Sequence, residues 1–234
     1  MIDRDIFFKA VREKPFGGSL SQEQVDGMNI ILDAWDRSGL KDTRWLAYML
    51  ATAYHETAHS MQPVEEGYYL GSGAAKFQKG LRYYPYFGRG FVQLTWKANY
   101  QKAKELFGVD FVGQPDLALR PDLAAKIMFS GMTQGWFTGK KLADYITAAG
   151  CDYKNARRII NGTDKAALIA GYAQSFEAAI KVDALATPPP PDVPGPEPIP
   201  VHPPDYESPT TTSKVNGVWA WIVYVFNALV RGRT

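Results

Sequence analysis

The most restrictive feature of the sequence is a cluster of prolines near its carboxyl end. Of 16 prolines, 11 fall in the 22 residues from Pro188 to Pro209. Proline lacks a backbone N–H and clashes with the preceding helical turn, so neither a packed helix nor a central strand can include this run. An extended spacer that rises roughly 3 Å per residue is the expected structure. The sequence therefore predicts a domain over residues 1–186, a Pro-rich linker over 187–213 and a tail over 214–234.

Size, charge and cysteine content exclude several classes of protein. A chain of 234 residues can hold one domain of ordinary size with a hydrophobic core. Its single cysteine, Cys151, excludes an intrachain disulfide and a cysteine-rich zinc module, and we expect this residue to be buried. The 26 Lys and Arg against 24 Asp and Glu, with no run of five or six basic residues, argue against a nucleic-acid partner. The protein is expected to be a monomer.

Hydrophobic periodicity predicts a mainly α (α+β) domain, helical with a small β element. Helix starts are indicated by Asp3, by Ser21 with Gln24 in capping-box spacing, and by Asp42. Residues 60–94 are rich in glycine and tyrosine, which favours turns and short strands, so the wall of a cleft is expected there. Further helices are predicted at 42–59, 97–107, 121–137 and 164–185. The tryptophans at helical spacing are predicted to pack inside: Trp35, Trp45, Trp96 and Trp136.

A His-Glu-x-x-His pattern runs from His55 to His59. On a helix this spacing places the two histidines one turn apart, where they can hold zinc while Glu56 acts as a base. Such a site needs a third ligand, and the candidates are His202 in the predicted linker and Glu105, which no supporting pattern surrounds. No metal and no cofactor are therefore predicted, and a zinc peptidase is kept as an alternative.

Two carboxyl groups close together in the sequence suggest a different chemistry. Glu56 continues an apolar helical stripe that runs through Trp45, Met49 and Thr52. Partial burial disfavours the charged form of a carboxyl and raises its pKa, as a general acid near neutral pH requires. Glu65 follows nine positions later. One protonated and one ionised carboxyl are the minimum required for cleaving a glycosidic bond. The alternative for Glu56 is a helix-end glutamate that forms a surface salt bridge.

The chain resembles glycoside hydrolase family 19, which comprises plant-type chitinases and many bacteriophage endolysins. The resemblance covers most of residues 45–180, and several separate motifs occur in the family's order. The segments that carry it are His55-Glu56-Thr57, Tyr86 to Thr95 followed by Asn99-Tyr100, Gly108-Val109-Asp110, Gln114 to Ala118, and Ile159-Ile160-Asn161-Gly162. The resemblance implies a lysozyme-like fold and a cleft that binds a glycan.

The resemblance also implies roles for individual residues. The family inverts configuration, so its base activates a water on the face of the sugar opposite the acid. Glu56 is implied as the acid and Glu65 as the base, with Glu66 as an alternative base. Thr95 matches the residue that helps to hold the water, although a threonine there can also cap the following helix. Positions that bind sugar hydroxyls and acetamides are matched by Gln93, Asn99 and Asn161, the last of which can instead form a simple turn with Gly162.

The tail carries an apolar stretch from Val215 to Val230. Only Asn216 and Asn227 are strongly polar within it, and basic residues flank both ends. As a helix it would span about 24 Å, less than the ~30 Å hydrocarbon core of a membrane. Its tryptophans and basic flanks favour a membrane-associating segment in residues 214–234, with docking on the domain's own surface as the alternative.

Together these features predict a bacteriophage endolysin with antimicrobial action that hydrolyses the β-1,4 glycan strands of bacterial peptidoglycan. The N-terminal residues do not resemble a secretory signal, so synthesis in the host bacterial cytoplasm and action on the cell wall are expected. The alternatives are a chitinase acting on chitin, the zinc peptidase and an inactive glycan-binding module.

Overall fold

A computed structural model describes residues 2–185 of the chain. The predicted linker at 187–213 and the predicted tail at 214–234 lie outside the described residues. The α-helices of the described part are α1 Arg4–Glu13, α2 Gln22–Ser38, α3 Thr43–Glu56, α4 Ala74–Lys79, α5 Lys97–Phe107, α6 Pro121–Gln134, α7 Tyr153–Ala156 and α8 Ala166–Leu185. Short 3-10 helices lie at Tyr68–Gly73, Pro115–Leu119, Leu142–Asp144 and Arg157–Ile159. The strands are β1 Val64–Glu65, β2 Arg89–Gly90, β3 Ile146–Thr147 and β4 Gly150–Cys151.

The three predicted helix starts are confirmed, because each capping side chain satisfies a backbone N–H that the first turn leaves free. Asp3 accepts a hydrogen bond from the N–H of Ile6. Ser21 and Gln24 form the complete capping box. Asp42 accepts from the N–H of Arg44. Among these helices, all within residues 2–185, none has both the length and the apolar character that crossing a membrane would require.

The core is built around α3. Every residue from Leu46 to Tyr54 is buried, which is expected of a helix that is apolar on all its faces. α3 packs mainly against α8, which also contacts α1 and α7, while α2 packs on α6. α3 therefore lies in the core of the domain, and Glu56 is the last residue of this helix.

The small β element predicted between residues 60 and 94 is present as the antiparallel pair of β1 and β2. Val64 lies opposite Gly90 and Glu65 lies opposite Arg89. A second pair, β3 with β4, lies further along the chain. Residues 60–94 also contain α4, which the sequence did not predict. β1 carries Glu65 and leads directly into Glu66, so this pair of strands positions the second carboxyl.

Three details differ from the predictions. α3 ends at Glu56 rather than near residue 59, because Ala58 and His59 take φ values of 55° and 69°, which a right-handed helix cannot include. Trp96 was predicted to be buried and is 43% exposed. Cys151 was also predicted to be buried and is exposed. Trp35 and Trp136 are buried as predicted.

Replacing Gly27 by alanine is expected to destabilise the domain by about 3 kcal/mol, near the upper end of the usual cost of overpacking. A Cβ at this position in α2 would clash with the carbonyl oxygen of Met61, in the loop that follows Glu56. Urea unfolding measures the change. The matched control is Gly171→Ala in α8, where a Cβ meets nothing within 4 Å and the higher helix propensity of alanine should raise stability by up to ~1 kcal/mol. Equal stabilities of the two variants would contradict the close approach.

Candidate active site

Glu56 forms a buried ion pair with an arginine from a distant part of the chain. Arg157 Nη1 donates to Glu56 Oε1 at 2.5 Å. The side chain of Arg157 is 4% exposed and that of Glu56 is 10% exposed. Among residues 2–185, no side chain or backbone group donates a hydrogen bond to Oε2 of Glu56. One oxygen of the carboxyl is thus fixed by Arg157.

Arg157 is held from its other side by the backbone. Its Nε donates to the carbonyl oxygen of Asp164 at 3.1 Å, which fixes the guanidinium in one orientation. Tyr48, two turns before Glu56 on α3, is fully buried, and its hydroxyl finds no hydrogen-bond partner within the described residues. Burial raises the pKa of Tyr48, and both Arg157 and Glu56 act on it electrostatically. Glu56, Arg157 and Tyr48 therefore form a small group of buried polar side chains.

The His-Glu-x-x-His pattern does not form the helical zinc geometry. Only His55 lies in α3, because the helix ends at Glu56. His59 stacks on the ring of Tyr54, with centroids 4.0 Å apart. Burial lowers the pKa of both histidines. No three His, Cys, Asp or Glu side chains in the described part of the chain are grouped so that they could hold a metal ion.

Glu65 is the more accessible of the two neighbouring carboxyls. Its side chain is 34% exposed, and Oε1 lies 3.5 Å from Nε of Arg89. Gln78 Nε2 approaches Oε2 at 3.3 Å. Both contacts are long for hydrogen bonds, so Glu65 keeps lone pairs for another donor. Arg89 itself is buried and also pairs with Asp116, at 2.9 Å between Nη2 and Oδ1.

Glu66 is more deeply enclosed. The hydroxyl of Tyr83 donates to Oε1 at 2.8 Å, and the N–H of Gly88 donates to Oε2 at 2.9 Å. Burial raises the pKa of Glu66 and the charge of Glu56 adds to this, while the two hydrogen bonds oppose it. Glu66 is thus close enough to Glu56 for their charges to interact, although both of its oxygens already have donors.

The predicted sugar-binding residues make several contacts within the protein. Gln93 donates from Nε2 to the carbonyl oxygens of Val64 at 3.0 Å and Gly90 at 3.2 Å, so both amide hydrogens hold β1 and β2 together. Thr95 donates its hydroxyl to the carbonyl oxygen of Gln93 at 2.7 Å. Asn99 donates from Nδ2 to the carbonyl oxygen of Thr95 at 2.9 Å.

Asn161 forms the simple turn that the sequence allowed. Its Oδ1 accepts from the N–H of Gly162 at 2.8 Å. The N–H of Asn161 also donates to the carbonyl oxygen of Arg157 at 3.0 Å, which ties Asn161 to the residue that pairs with Glu56. The roles of these residues toward a sugar stay predictions.

Sequence reasoning missed the three residues that hold the carboxyls: Arg157, Arg89 and Tyr83. Arg157 pairs with a residue 101 positions away, and no local pattern predicts such a contact. Arg89 carries a weak signal, since it sits between two glycines in a short strand, where its backbone approaches other elements closely. Tyr83 was one of five tyrosines in the stretch expected to form the cleft wall, and nothing in the sequence distinguishes it from the others.

Part of the chain matches a known protein family. Residues 41–144 match the family model described as chitinase class I of glycoside hydrolase family 19. Chitinase 8 of Oryza sativa subsp. japonica is 43% identical over 53 residues, which cover 23% of this chain and 18% of that protein. Chitinase 11 of the same plant is 33% identical over 97 residues, covering 35% of this chain and 37% of that protein.

The crystal structure of chitinase C from Streptomyces griseus superposes with a TM-score of 0.55 at 19% identity and covers 76% of each chain. It supports the lysozyme-like, mainly helical fold, and the prediction of fold class is confirmed. The chain spans less than two fifths of the length of either rice protein. The matched segment contains Glu56, Glu65, Glu66 and Arg89. The match to the model of glycoside hydrolase family 19 therefore includes all three candidate carboxyls.

Proposed function

We propose that the protein is an endolysin that hydrolyses the β-1,4 glycan strands of bacterial peptidoglycan with two carboxyl groups and without a metal. The observation that carries this proposal is the buried pair of Glu56 and Arg157, together with Glu65 in β1 and Glu66 directly after it, on which the charge of Glu56 acts. The match to the family model supports glycosidic chemistry for such a site. Peptidoglycan, as the specific glycan, rests on the resemblance to the endolysin branch.

Glu56 is the proposed general acid. Arg157 donates to Oε1, so Oε2, which accepts no hydrogen bond from the described residues, is the oxygen proposed to deliver the proton to the leaving oxygen of the sugar. A fixed carboxyl donates its proton without first having to find its orientation, and such preorganisation lowers the barrier of the chemical step.

Glu65 is the proposed base. A base must be ionised and must have a lone pair that can accept a proton from water. The Arg89 guanidinium lies beside Glu65, with Nε 3.5 Å from Oε1, and the long contacts of Glu65 leave room for a water. Glu66 has the disadvantage that both of its oxygens already accept short hydrogen bonds. In its favour, it interacts electrostatically with Glu56, so it is the alternative base.

Thr95, Gln93, Asn99 and Asn161 are proposed to hold the water and the sugar. Because Thr95 donates its hydroxyl hydrogen to Gln93, the hydroxyl oxygen is left to accept a hydrogen bond from water. Gln93 has used both amide hydrogens on backbone carbonyls, so only its carbonyl oxygen can accept from a sugar hydroxyl. These assignments therefore predict acceptors, rather than donors, at positions 93 and 95.

Digestion of purified peptidoglycan is expected to release new reducing sugar ends and no new amino termini, because the site carries paired carboxyls and not a zinc pair. Mass spectrometry of the soluble fragments identifies the bond that is cut. EDTA is expected to leave the rate unchanged. New amino termini, or strong inhibition by EDTA, would support the zinc peptidase with His55 and His59 instead.

A chitinase is the second candidate, because the rice relatives are named chitinases and are 43% and 33% identical over the aligned residues. The same digestion with chitin as substrate tests it: faster release of reducing ends from chitin than from peptidoglycan would favour this candidate. Release of no ends from either glycan would favour the inactive glycan-binding module. Membrane association of residues 214–234 and a bacteriophage origin remain predictions.

A further inference from the structure

Positive charge is concentrated in the part of the chain that surrounds the second carboxyl. Residues 67–104 contain seven of the 26 Lys and Arg and none of the 24 Asp and Glu. The rest of the chain therefore has a net negative charge, although the protein as a whole carries +2. Arg89 in this segment is buried and paired with Glu65 and Asp116, and Lys104 pairs with Asp110.

The remaining basic side chains of this segment are exposed, and within residues 2–185 none of them forms a salt bridge: Lys76, Lys79, Arg82, Lys97 and Lys102. Charges that are exposed and unpaired contribute little to stability. They do raise the local concentration of anions. An anionic ligand is the partner that such a surface favours.

One of these cations is stacked on an exposed aromatic ring. The guanidinium carbon of Arg82 lies 4.8 Å from the ring centroid of Trp96. The ring of Tyr83 meets Trp96 edge-on, with centroids 5.0 Å apart. Trp96 nevertheless stays 43% exposed. The Trp96 ring is thus packed against two side chains and still exposed, and an exposed aromatic ring of this kind can stack on the face of a sugar.

The backbone of Trp96 is held in a strained conformation. Its φ is 73°, in the left-handed region that bulky residues rarely adopt. The N–H of Trp96 donates to the carbonyl oxygen of Tyr86 at 2.9 Å, which fixes this conformation. Strain of this kind occurs most often where a side chain has a functional position.

The pair also lies next to the proposed active site. Tyr83, which packs on Trp96, donates its hydroxyl to Glu66. Trp96 directly follows Thr95, the residue proposed to hold the water. A glycan that places a bond at Glu56 and Glu65 can therefore extend toward Arg82 and Trp96.

We propose that Arg82 and Trp96 form a subsite that selects an anionic glycan, with a pyranose ring against Trp96 and a carboxylate of the glycan paired with Arg82. Peptidoglycan offers such carboxylates on its stem peptides and on lactyl groups that carry no stem peptide, whereas chitin is uncharged. Arg82 then distinguishes the two glycans, and Trp96 binds the ring that they share. This inference rests on the proposed function and names the residues that decide its substrate.

The test measures binding in a Glu56→Gln background, so that hydrolysis does not interfere. Sedimentation with purified peptidoglycan sacculi and with chitin particles gives a dissociation constant for each. Arg82→Gln is expected to lower the preference for sacculi over chitin about fivefold, the size of one exposed ion pair. Added salt is expected to reduce the same preference in the parent protein. The matched control is Arg37→Gln, an equal loss of charge on the exposed end of α2, which should leave the preference unchanged.

Trp96→Ala is expected to weaken binding to both glycans about tenfold, and Trp96→Phe is expected to retain most of it because a ring is kept. If Trp96→Ala fails to fold, Trp96→Phe and Arg82→Gln still test the subsite. An unchanged preference in Arg82→Gln, or an equal loss in Arg37→Gln, would overturn the inference. If Arg82→Gln lowers the preference for sacculi over chitin, but the protein with Glu56 intact cuts neither glycan, the subsite stands and the proposed function is overturned.

Discussion

Glu56→Gln is expected to lower the turnover of peptidoglycan about 10³-fold or more, since a positioned general acid contributes typically 10²–10⁴-fold. Glutamine keeps a carbonyl oxygen that can accept from Arg157, but it has no proton to give to the leaving sugar oxygen. The measurement is the rate of release of reducing ends at a temperature at which circular dichroism shows the variant to be folded. Activity within tenfold of the parent would remove Glu56 from its role.

The ion pair makes a stability control necessary for this variant. Arg157 is buried, so Glu56→Gln leaves a buried guanidinium without its counter-charge, and a stability loss of about 3 kcal/mol is expected. The double variant Glu56→Gln with Arg157→Gln removes both charges and should recover part of that loss. Its activity should remain as low as that of the single variant. Recovery of activity along with stability would show that the single variant had failed through folding.

Glu65→Gln is expected to reduce kcat about 10²-fold or more, while Glu66→Gln is expected to act chiefly on stability. The reason is the difference in their hydrogen bonds. Glutamine at position 66 can accept from only one of its two donors, the Tyr83 hydroxyl and the Gly88 N–H, so its amide faces a donor and costs about 1–3 kcal/mol. Glutamine at position 65 breaks no short hydrogen bond. The two variants are chemically identical changes at neighbouring positions, so each is the control for the other.

Kinetics and unfolding measured on the same preparations separate the two roles. A loss of kcat in Glu66→Gln that exceeds the loss in Glu65→Gln, at equal folded fractions, would reverse the assignment and make Glu66 the base.

Local signals predicted the helical frame well, because each depends on residues close together in the chain. Ser21 and Gln24 form their capping box from neighbouring groups alone. The helix Lys97–Phe107 was predicted with the bounds that it has. The end of α3 was missed because the left-handed conformations of Ala58 and His59 depend on packing, and neither residue type signals them.

The candidate site was predictable in its carboxyls and not in their partners. Glu56 could be identified from its helical stripe and from the family motif, which are both local. Its partner Arg157 comes from a separate part of the fold. Burial of Trp96 was predicted from helical spacing, but the residue precedes α5 instead of lying within it, so the spacing argument does not apply.

The pairing of Glu56 with Arg157 has a consequence for how the protein becomes active. Arg157 lies beyond residue 144, where the match to the family ends, and α8, the main packing partner of α3, follows it. During synthesis Glu56, the proposed acid, is made before Arg157, so it has no counter-charge until the last part of the domain has emerged from the ribosome and packed against α3. A chain interrupted before that point carries Glu56 and Glu65 but lacks the arginine that orients Glu56, so we expect hydrolytic activity only from the complete domain.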